Sequence, residues 1–173
     1  GQLLLDDTVK AVREKLSGLD NAVIPGFYGR TTEGYIKTFS RGGSDVTGSI
    51  IANAVRADIY ENWTDVSGFL VADPRIVENP DVIKVITYRE LRELAYMGAS
   101  VLHEDAIFPV RSAGIPINIR NTNRPQDDGT MIVSDDYNFS KESLNHTITG
   151  IAGKKGFSTI NIEKAMMNNE TGF

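Results

Sequence analysis

The sequence predicts an α/β fold in which helices flank an open, mainly parallel sheet. The first observation behind this prediction is the order strand, glycine turn, helix and strand over residues 35–63, which is the order of a βαβ unit. The second is that two further helical stretches and two short apolar strands follow it. The third is a length of 173 residues with 40% hydrophobic content, which suffices for one domain with its own core.

The residues before the glycine turn predict a helix and a hairpin. Residues 8–16 carry apolar side chains at helical spacing, and we expect Asp6 or Asp7 near the helix cap. Residues 22–27 have the pattern of a buried strand, and residues 35–39 alternate with the period of a strand. A polar turn separates these two runs, so we expect them to pair as a hairpin.

The next predicted elements begin at the glycine turn. Residues 46–55 place their apolar side chains on one helical face, with Ser44 or Asp45 as the cap. A strand over residues 57–63 follows this helix. After it come two helices and then two strands joined by a polar turn: residues 88–97, 104–112, 115–119 and 130–133.

A polar stretch over residues 134–146 is the best linker candidate in the chain. Beyond it, residues 148–152 and residues 160–162 are typical of two short strands around a glycine–lysine turn. The tail after the linker is too short to bury a core of its own. It is therefore either a docked hairpin or the beginning of another domain.

The composition excludes several kinds of site. The chain has no cysteine, which rules out disulfides, thiolate metal sites and a cysteine nucleophile. Its 18 Lys and Arg against 23 Asp and Glu give a net charge of −5, so we expect no nucleic-acid partner. His103 and His146 lack metal-ligand spacing, and we predict no metal-ligating residue. Because no membrane span or export signal is visible, we expect a cytoplasmic protein without membrane contact.

The strongest local pattern is the run from Arg41 through Gly42 to Asp45. The glycines let a ligand approach the backbone, and the helix that follows directs free amides and its positive end toward an anion. Arg41 offers a clamp for a carboxylate or phosphate, Ser44 a hydroxyl, and Asp45 a group that orients a lysine, a metal or a substrate amine. The same residues also fit an ordinary glycine turn with a Ser or Asp cap, and spacing alone does not separate the two interpretations.

A second cluster begins where Thr64 and Asp65 follow a predicted strand, at the carboxyl end where ligands bind in open α/β sheets. Asp73-Pro74 predicts a turn, from which Arg75 would reach a phosphate. The alternative, which the residues by themselves favour, is that Asp65 caps a loop and Arg75 is a solvated surface charge.

Six blocks of sequence occur in an ordered set across residues 22–133. They are Pro25-Gly26-Phe27-Tyr28-Gly29, Phe39-Ser40-Arg41-Gly42-Gly43-Ser44-Asp45, Trp63-Thr64-Asp65-Val66-Ser67-Gly68, Asp73-Pro74-Arg75, Gly98-Ala99-Ser100-Val101-Leu102-His103 and Gly129-Thr130. Their order and spacing resemble those of the aspartate kinases of the amino acid kinase superfamily. The tail resembles the beginning of the first ACT regulatory domain that follows the catalytic domain in these enzymes.

The resemblance implies a three-layer αβα catalytic domain over residues 1–133, a linker over 134–146 and the start of a βαββαβ ACT domain over 147–173. It implies transfer of the γ-phosphate of ATP, with Mg²⁺, to the side-chain carboxylate of L-aspartate. The product is 4-phospho-L-aspartate, at the entry to lysine, threonine and methionine biosynthesis. For the full-length enzyme it also implies allosteric control by an amino-acid effector and a homodimer or higher oligomer formed through ACT domains.

The resemblance assigns roles to residues that match the motifs of the family. It gives catalytic roles to Arg41 and Asp45, and aspartate binding to Arg41, Gly42 and Ser44. On the ATP side it places Thr64, Asp65, Leu70, Arg75 and Ser100. Ser100 falls where some members carry a lysine, whose charge serine cannot supply. The effector loop is matched by Met167, Asn169, Glu170 and Gly172.

The Lys-Phe-Gly-Gly segment with which the family holds the ATP phosphates does not occur in the sequence. We therefore expect the chain to be an excerpt of a longer enzyme and to be inactive alone. One alternative is a ligand-binding or regulatory module without kinase activity, based on the polar linker and the ACT-like tail. Another is a kinase for glutamate or a carbamate, which the Arg41–Asp45 motif disfavours because those relatives carry Asn-rich variants there.

Overall fold

The computed structural model describes residues 3–39, 42–96, 102, 104–137, 148–153 and 156. Within these ranges the chain forms four helices and six strands. In chain order they are α1 Leu5–Leu16, β1 Tyr28–Arg30, β2 Ile36–Thr38, α2 Gly43–Val55, β3 Tyr60–Thr64, β4 Val85–Thr87, α3 Tyr88–Tyr96, α4 Glu104–Ser112, β5 Ile117–Asn121 and β6 Thr130–Val133. The helices of the described residues include none that is long and apolar enough to span a bilayer.

The first helix, α1, packs on α2. Arg13 donates a hydrogen bond from Nε to the backbone oxygen of Ala54, 2.9 Å away. Asp6 or Asp7 was expected near the helix cap, and both lie in the first turn after the N-cap Leu4. Leu4 makes no side-chain capping bond, and the charge of the two aspartates stabilises the positive end of the helix dipole.

The predicted hairpin forms, but its first strand begins later than residues 22–27. β1 pairs antiparallel with β2, with Tyr28 opposite Thr38. The apolar run before β1 contains no strand, and Val23 in its middle is fully exposed. Pro25 has no amide hydrogen to donate to a ladder, and Phe27 has a φ of 76°, which is outside the strand region. Local backbone chemistry therefore delays the strand until Tyr28.

The βαβ unit predicted over residues 35–63 was wrong. β2 pairs with β1 in a two-stranded sheet, whereas β3 belongs to a separate four-stranded sheet. The reason lies in burial: all three residues of β2 are exposed. A strand inside a helix-covered parallel sheet must bury apolar side chains, and β2 has no buried face to offer.

The four-stranded sheet has the order β3–β5–β6–β4. β3 runs parallel to β5 and β4 runs parallel to β6, while β5 and β6 pair antiparallel across the predicted polar turn. Helices pack against this sheet, which confirms the predicted α/β class with an open, mainly parallel sheet. Its core is a cluster of buried side chains from the strands, the helices and the segments between them: Ala52, Phe69, Ile83, Ile86, Tyr88, Leu91, Leu102, Ile107, Val110, Ile115, Ile117, Ile119 and Ile132.

Helices α3 and α4 agree with the sequence prediction. A capping box begins α3, because Glu90 Oε2 accepts hydrogen bonds from the amide and the hydroxyl of Thr87, each at 2.9 Å. The hydroxyl of Thr87 in turn accepts from the Glu90 amide at 3.2 Å. Burial raises the pKa of the Glu90 carboxyl, but the hydrogen bonds from Thr149 and Thr87 outweigh it and the net shift is downward.

The described part of the tail docks on the rest of the fold. Thr149 donates from its hydroxyl to Glu90 Oε1 at 2.6 Å, and the Ile151 amide donates to the backbone oxygen of Val71 at 2.7 Å. The strand predicted over residues 148–152 was wrong, since these described residues contain no strand. The second predicted strand and most of the linker lie outside the described residues. The predicted domain boundaries therefore stay predictions.

Candidate active site

The start of α2 is the first part of the candidate site. Gly42 is the N-cap in a left-handed conformation with a φ of 62°, and it makes no side-chain capping bond. Ser44 and Asp45 were expected to cap the helix, but both lie inside its first turn, so that expectation was wrong. The first amides of a helix have no partner within the helix and attract anions. Arg41, the other predicted member of this group, lies outside the described residues.

The segment before β1 braces the start of α2. The amide of Phe27 donates to Thr47 Oγ1 at 3.1 Å, and Thr47 Oγ1 donates to the backbone oxygen of Gly43 at 2.9 Å. A Cβ added at Gly43 would lie 2.7 Å from both the Phe27 ring and Phe39 Cβ. The glycine therefore permits a close approach that fixes where the helix amides point.

Asp45 is tied to β3 across the sheet–helix interface. Its Oδ1 accepts a hydrogen bond from Asn62 Nδ2 at 2.9 Å, and the same nitrogen donates to the Tyr60 hydroxyl at 3.1 Å. Asn62 is only 8% exposed. Burial raises the pKa of the Tyr60 phenol, the hydrogen bond from Asn62 opposes the rise, and the charge of Asp45 adds to it. The phenol therefore stays neutral at physiological pH.

Thr64 and Asp65 lie where the sequence places them, at the carboxyl end of β3. The Thr64 hydroxyl donates to Asp65 Oδ1 at 3.2 Å. The backbone oxygen of Thr64 accepts from both the amide and the hydroxyl of Thr122, at 2.8 and 2.7 Å. Thr122 directly follows β5, so the ends of these two parallel strands are held together.

The loop after β3 is anchored to the core at Gly68. A Cβ at Gly68 would lie 2.3 Å from Thr130 Oγ1, and the Gly68 φ of 99° is one that L side chains rarely adopt. The next amide, of Phe69, donates to Thr130 Oγ1 at 2.8 Å, and this hydroxyl donates to the backbone oxygen of Ile83 at 2.6 Å. Farther along the loop, Leu70 forms an isolated antiparallel β-bridge with Val82, and Leu70 is 38% exposed.

Arg75 lies in the predicted Asp73-Pro74 turn, where the Ile76 amide donates to the Asp73 backbone oxygen at 2.9 Å. Its guanidinium binds the Asp73 carboxylate through Nε at 3.0 and 3.1 Å and through Nη2 at 2.6 Å. The side chain of Arg75 is 87% exposed. Hydrogen bonds from Arg75 lower the pKa of the Asp73 carboxyl to about 2, and the Asp73 carboxylate raises the pKa of Arg75.

The structure thus brings together Gly42, Ser44 and Asp45, and it links them through Asn62 to the strand that ends at Thr64. Arg75 is held by Asp73 instead of contacting this group. The remaining predicted residues lie outside the described residues: Arg41, Ser100, Met167, Asn169, Glu170 and Gly172. The described ranges contain no group of three or more His, Asp or Glu side chains arranged to hold a metal ion.

Sequence reasoning missed Asn62 and Tyr60 as members of the site. A usable signal was present, because Tyr60, Asn62 and Thr64 alternate with Glu61 and Trp63 along one strand. A polar residue at an inward-facing strand position must have a hydrogen-bond partner when it is buried. The alternation predicts that Asn62 faces a helix, but it does not identify which side chain on that helix is the partner.

Two surface grooves lie elsewhere. One of about 480 Å³ lies between α1 and the end of α2, beside Arg13 and Arg56. The other, of about 420 Å³, lies between α3 and the tail, beside Tyr96 and Ile151. Neither is lined by a predicted site residue, so we assign the candidate site on the chemistry at the start of α2 and not on groove size.

Comparison with known proteins gives consistent results. Residues 5–121 match the family model described as the amino acid kinase family. The chain is 48% identical over 151 residues to aspartokinase 3 of Bacillus subtilis (strain 168), covering 87% of this chain and 32% of that protein. It is 39% identical over 143 residues to aspartokinase 1 of the same strain, covering 81% of this chain and 35% of that protein. The chain thus spans about a third of the length of these curated relatives.

Solved structures agree in fold. The aspartate kinase of Clostridium acetobutylicum superposes with a TM-score of 0.81 at 62% identity, covering 88% of this chain and 34% of that one. Aspartokinase III of E. coli, solved in complex with aspartate and ADP, superposes with a TM-score of 0.57 at 35% identity, covering 65% of this chain and 25% of that one. The same E. coli enzyme in complex with lysine and aspartate gives a TM-score of 0.59 with the same identity and coverage.

Proposed function

Since the chain belongs to the amino acid kinase family, we propose that it contributes the aspartate side and part of the nucleotide side of an aspartate kinase active site. The observation that carries this proposal is the 62% identity and 0.81 TM-score with the Clostridium acetobutylicum aspartate kinase over 88% of the chain. The reaction is transfer of the γ-phosphate of ATP to the side-chain carboxylate of L-aspartate. The P–O bond to the β-phosphate breaks while a new P–O bond forms, and the product is an acyl phosphate.

The start of α2 suits the carboxylates of aspartate. Its first amides, which have no partner within the helix, and the positive end of the helix dipole favour a negative group, and the exposed Ser44 offers a hydroxyl donor beside them. Arg41 immediately precedes Gly42 in the sequence, and a guanidinium can bind a carboxylate through two hydrogen bonds. The attacking carboxylate is already ionised at neutral pH, so no general base is needed. Phosphoryl transfer then depends on positioning and on positive charge near the phosphate.

The carboxylate of Asp45 serves to organise the two sides of the site. It lies in the first turn of α2, beside the proposed aspartate site, and its bond to Asn62 links it to the strand that leads to the nucleotide side. A fixed carboxylate in this place orients a cationic group, such as the amine of the substrate. Its role is electrostatic and positional, in keeping with the demands of phosphoryl transfer.

The chemistry of the nucleotide side fits ATP. Thr64 offers a hydroxyl, Leu70 an exposed apolar surface and Arg75 an exposed guanidinium that can bind a phosphate in place of Asp73. Mg²⁺ that arrives on nucleotide phosphates needs only one or two protein carboxylates, and Asp65 can supply one. Bound there, Mg²⁺ would neutralise developing negative charge on the phosphates.

Four further properties of the full-length enzyme belong to this proposal. An amino-acid effector would bind through the ACT domain near Met167, Asn169, Glu170 and Gly172, with paired ACT domains forming a homodimer or larger assembly. The solved complex of E. coli aspartokinase III with lysine supports an amino-acid effector for this family. A place in lysine and threonine biosynthesis and a cytoplasmic location follow from the same activity.

The test is an assay of the full-length protein that contains this chain. MgATP is supplied with L-aspartate, L-glutamate or no acceptor, while ADP release is measured and hydroxylamine traps any acyl phosphate. With the full-length protein, we expect ADP and hydroxamate to form when L-aspartate is the acceptor but not with L-glutamate or without an acceptor. The isolated 173-residue chain should form no hydroxamate. Equal turnover of glutamate, or aspartate binding without any turnover, would contradict the proposal, and the second result would favour a ligand-binding module.

A further inference from the structure

Asn62 is a buried polar side chain for which no catalytic role follows from the sequence motifs. It occupies the middle of β3, is 8% exposed, and lies 17 residues from its partner Asp45. Its neighbours on the strand, Glu61 and Trp63, are exposed and point to the opposite face of the sheet. The chain has therefore placed an amide at an inward position where an apolar side chain is usual.

The hydrogen-bond network fixes the orientation of this amide. A carboxylate only accepts hydrogen bonds, so the atom of Asn62 that faces Asp45 at 2.9 Å is the donor Nδ2. Its second hydrogen is directed to the Tyr60 hydroxyl at 3.1 Å. Both donor positions of the amide are therefore used within the cluster. The oxygen of Asp45 that this bond engages is Oδ1.

The Tyr60 hydroxyl accepts the second hydrogen bond of the Asn62 amide. Helix α2 can pack this closely against Tyr60 only because it carries Gly48. A Cβ at Gly48 would lie 2.5 Å from the Tyr60 hydroxyl oxygen and 2.9 Å from its ring. Burial raises the pKa of Tyr60, so its hydroxyl stays neutral and continues to accept the hydrogen bond from Asn62. The contacts thus run from Gly48 to Tyr60, from Tyr60 to Asn62 and from Asn62 to Asp45.

We infer that Asn62 is a positioning residue for phosphoryl transfer, because its side-chain amide holds the Asp45 carboxylate in the orientation that the reaction uses. This inference rests on the proposed function, since it assigns Asp45 to the active site. A displaced carboxylate still permits substrates to bind, but it removes alignment in the transition state. The inference therefore places the effect of Asn62 on kcat, with little effect on KM for aspartate or ATP.

The decisive comparison uses three variants of the full-length enzyme. Asn62→Leu keeps the size of the side chain and removes the donor. We expect its kcat to fall about 10- to 100-fold, which is typical when a reacting group is displaced slightly. Asn53→Leu is the matched control, because Asn53 also donates a partly buried hydrogen bond, to the Pro109 backbone oxygen at 2.8 Å, but does so away from the site. Both variants lose stability, and only Asn62→Leu loses kcat.

Asn62→Asp supplies a readout that a structural role would not move. Within the described residues the titratable groups bonded in this cluster are Asp45 on α2 and Tyr60 on β3. At pH 8 two carboxylates face each other and repel. As the pH falls, the one shared proton restores a hydrogen bond between them. We expect kcat of this variant relative to the wild type to rise about tenfold between pH 8 and pH 6.

The outcomes separate the two hypotheses. A wild-type enzyme that does not phosphorylate aspartate overturns the proposed function and this inference together. An active wild type with unchanged kcat in Asn62→Leu, or an equal loss in Asn53→Leu, overturns the inference and leaves the proposed function standing. If Asn62→Leu does not fold, as judged by circular dichroism, the Asn62→Asp profile decides, and a flat ratio across pH counts against the inference.

Discussion

The aspartate side of the candidate site joins side chains that are distant in sequence, whereas the polar side chains of the nucleotide side, Thr64 and Arg75, are bonded to near neighbours. Asp45 and Asn62 are 17 residues apart and belong to a helix and a strand. Arg75 is bound by Asp73, two residues away, and Thr64 by the adjacent Asp65. The backbone of the nucleotide side is held from farther along the chain, at Thr64 by Thr122 and at Phe69 by Thr130.

This difference indicates that the two sides prepare for their ligands differently. The proposed aspartate side is oriented before binding, because moving Asp45 would break its partly buried hydrogen bond to Asn62. On the nucleotide side, the bond between Arg75 and Asp73 is exposed to solvent, and such surface pairs exchange partners at little cost. A phosphate can therefore replace Asp73 as the partner of Arg75 without a change in the fold.

The largest effect is expected from neutralising the oriented carboxylate. Asp45→Asn keeps the size of the side chain and an oxygen that can accept the Asn62 hydrogen bond. We expect kcat to fall about 100-fold or more with little change in thermal stability, because the charge and not the packing is lost. Steady-state kinetics and thermal unfolding of the full-length enzyme measure both quantities. Asp58→Asn, at an exposed aspartate outside the site, is the control, and a similar loss there would refute the assignment.

A second prediction concerns the anchor of the nucleotide-side loop. In Gly68→Ala the new methyl group would meet Thr130 Oγ1 at 2.3 Å and would also strain a φ of 99°. We expect a loss of about 3 kcal/mol in the free energy of unfolding, measured by urea denaturation. Gly114→Ala separates the two causes, because Gly114 has a φ of 68° and nothing within 4 Å. It should cost about 1 kcal/mol, and equal losses in both variants would mean that the contact with Thr130 contributes nothing.

A third, smaller effect is expected at the corresponding glycine of the aspartate side. Gly48→Ala must displace the Tyr60 ring, whose hydroxyl lies 2.5 Å from the added Cβ. Because a side chain yields more readily than backbone, we expect a loss of about 1–2 kcal/mol in stability, accompanied by a lower kcat. Gly29→Ala, with nothing within 4 Å, should change neither quantity. A stability loss at Gly48 without a change in kcat would show that Tyr60 does not transmit its position to the site.

The smallest effect is expected at Asp73, whose pKa the Arg75 hydrogen bonds lower to about 2 from its usual 3.8. A lowered pKa in the folded state stabilises the protein above the unfolded pKa, and this stabilisation disappears as pH falls toward the folded pKa. The small stability difference between wild type and Asp73→Asn should therefore be constant from pH 8 to pH 5 and vanish between about pH 4 and pH 2. Thermal unfolding across pH measures it. A difference that varies near neutral pH would contradict this assignment.

Local patterns were sufficient for several elements of the fold. The bounds predicted for α4 and β6 agree with the structure, since helical periodicity and an apolar run beside a glycine turn act over a few residues. The delayed start of β1 also has a local cause, in Pro25 and the left-handed Phe27. The strand predicted over residues 22–27 was wrong because the prediction considered only hydrophobicity and left out the backbone restrictions of these residues.

Strand pairing was not determined locally. The run from β2 through α2 to β3 has the order of a βαβ unit, but β2 pairs only with β1 among the described strands. A strand pairs where its side chains find burial, and this depends on the other elements available to it. The pattern around Ile36 could not show that this strand would remain exposed.

The candidate site also combines features that local sequence determines with features that only the tertiary packing decides. The sequence by itself determined that a helix follows the glycine turn and that Thr64 and Asp65 lie at a strand end, because glycines and strand termini act through the local backbone. Only the tertiary structure decided that Asn62 holds Asp45 and that Tyr60 fits against Gly48. Those contacts depend on how closely a helix packs against a strand, and that distance is set by the whole core.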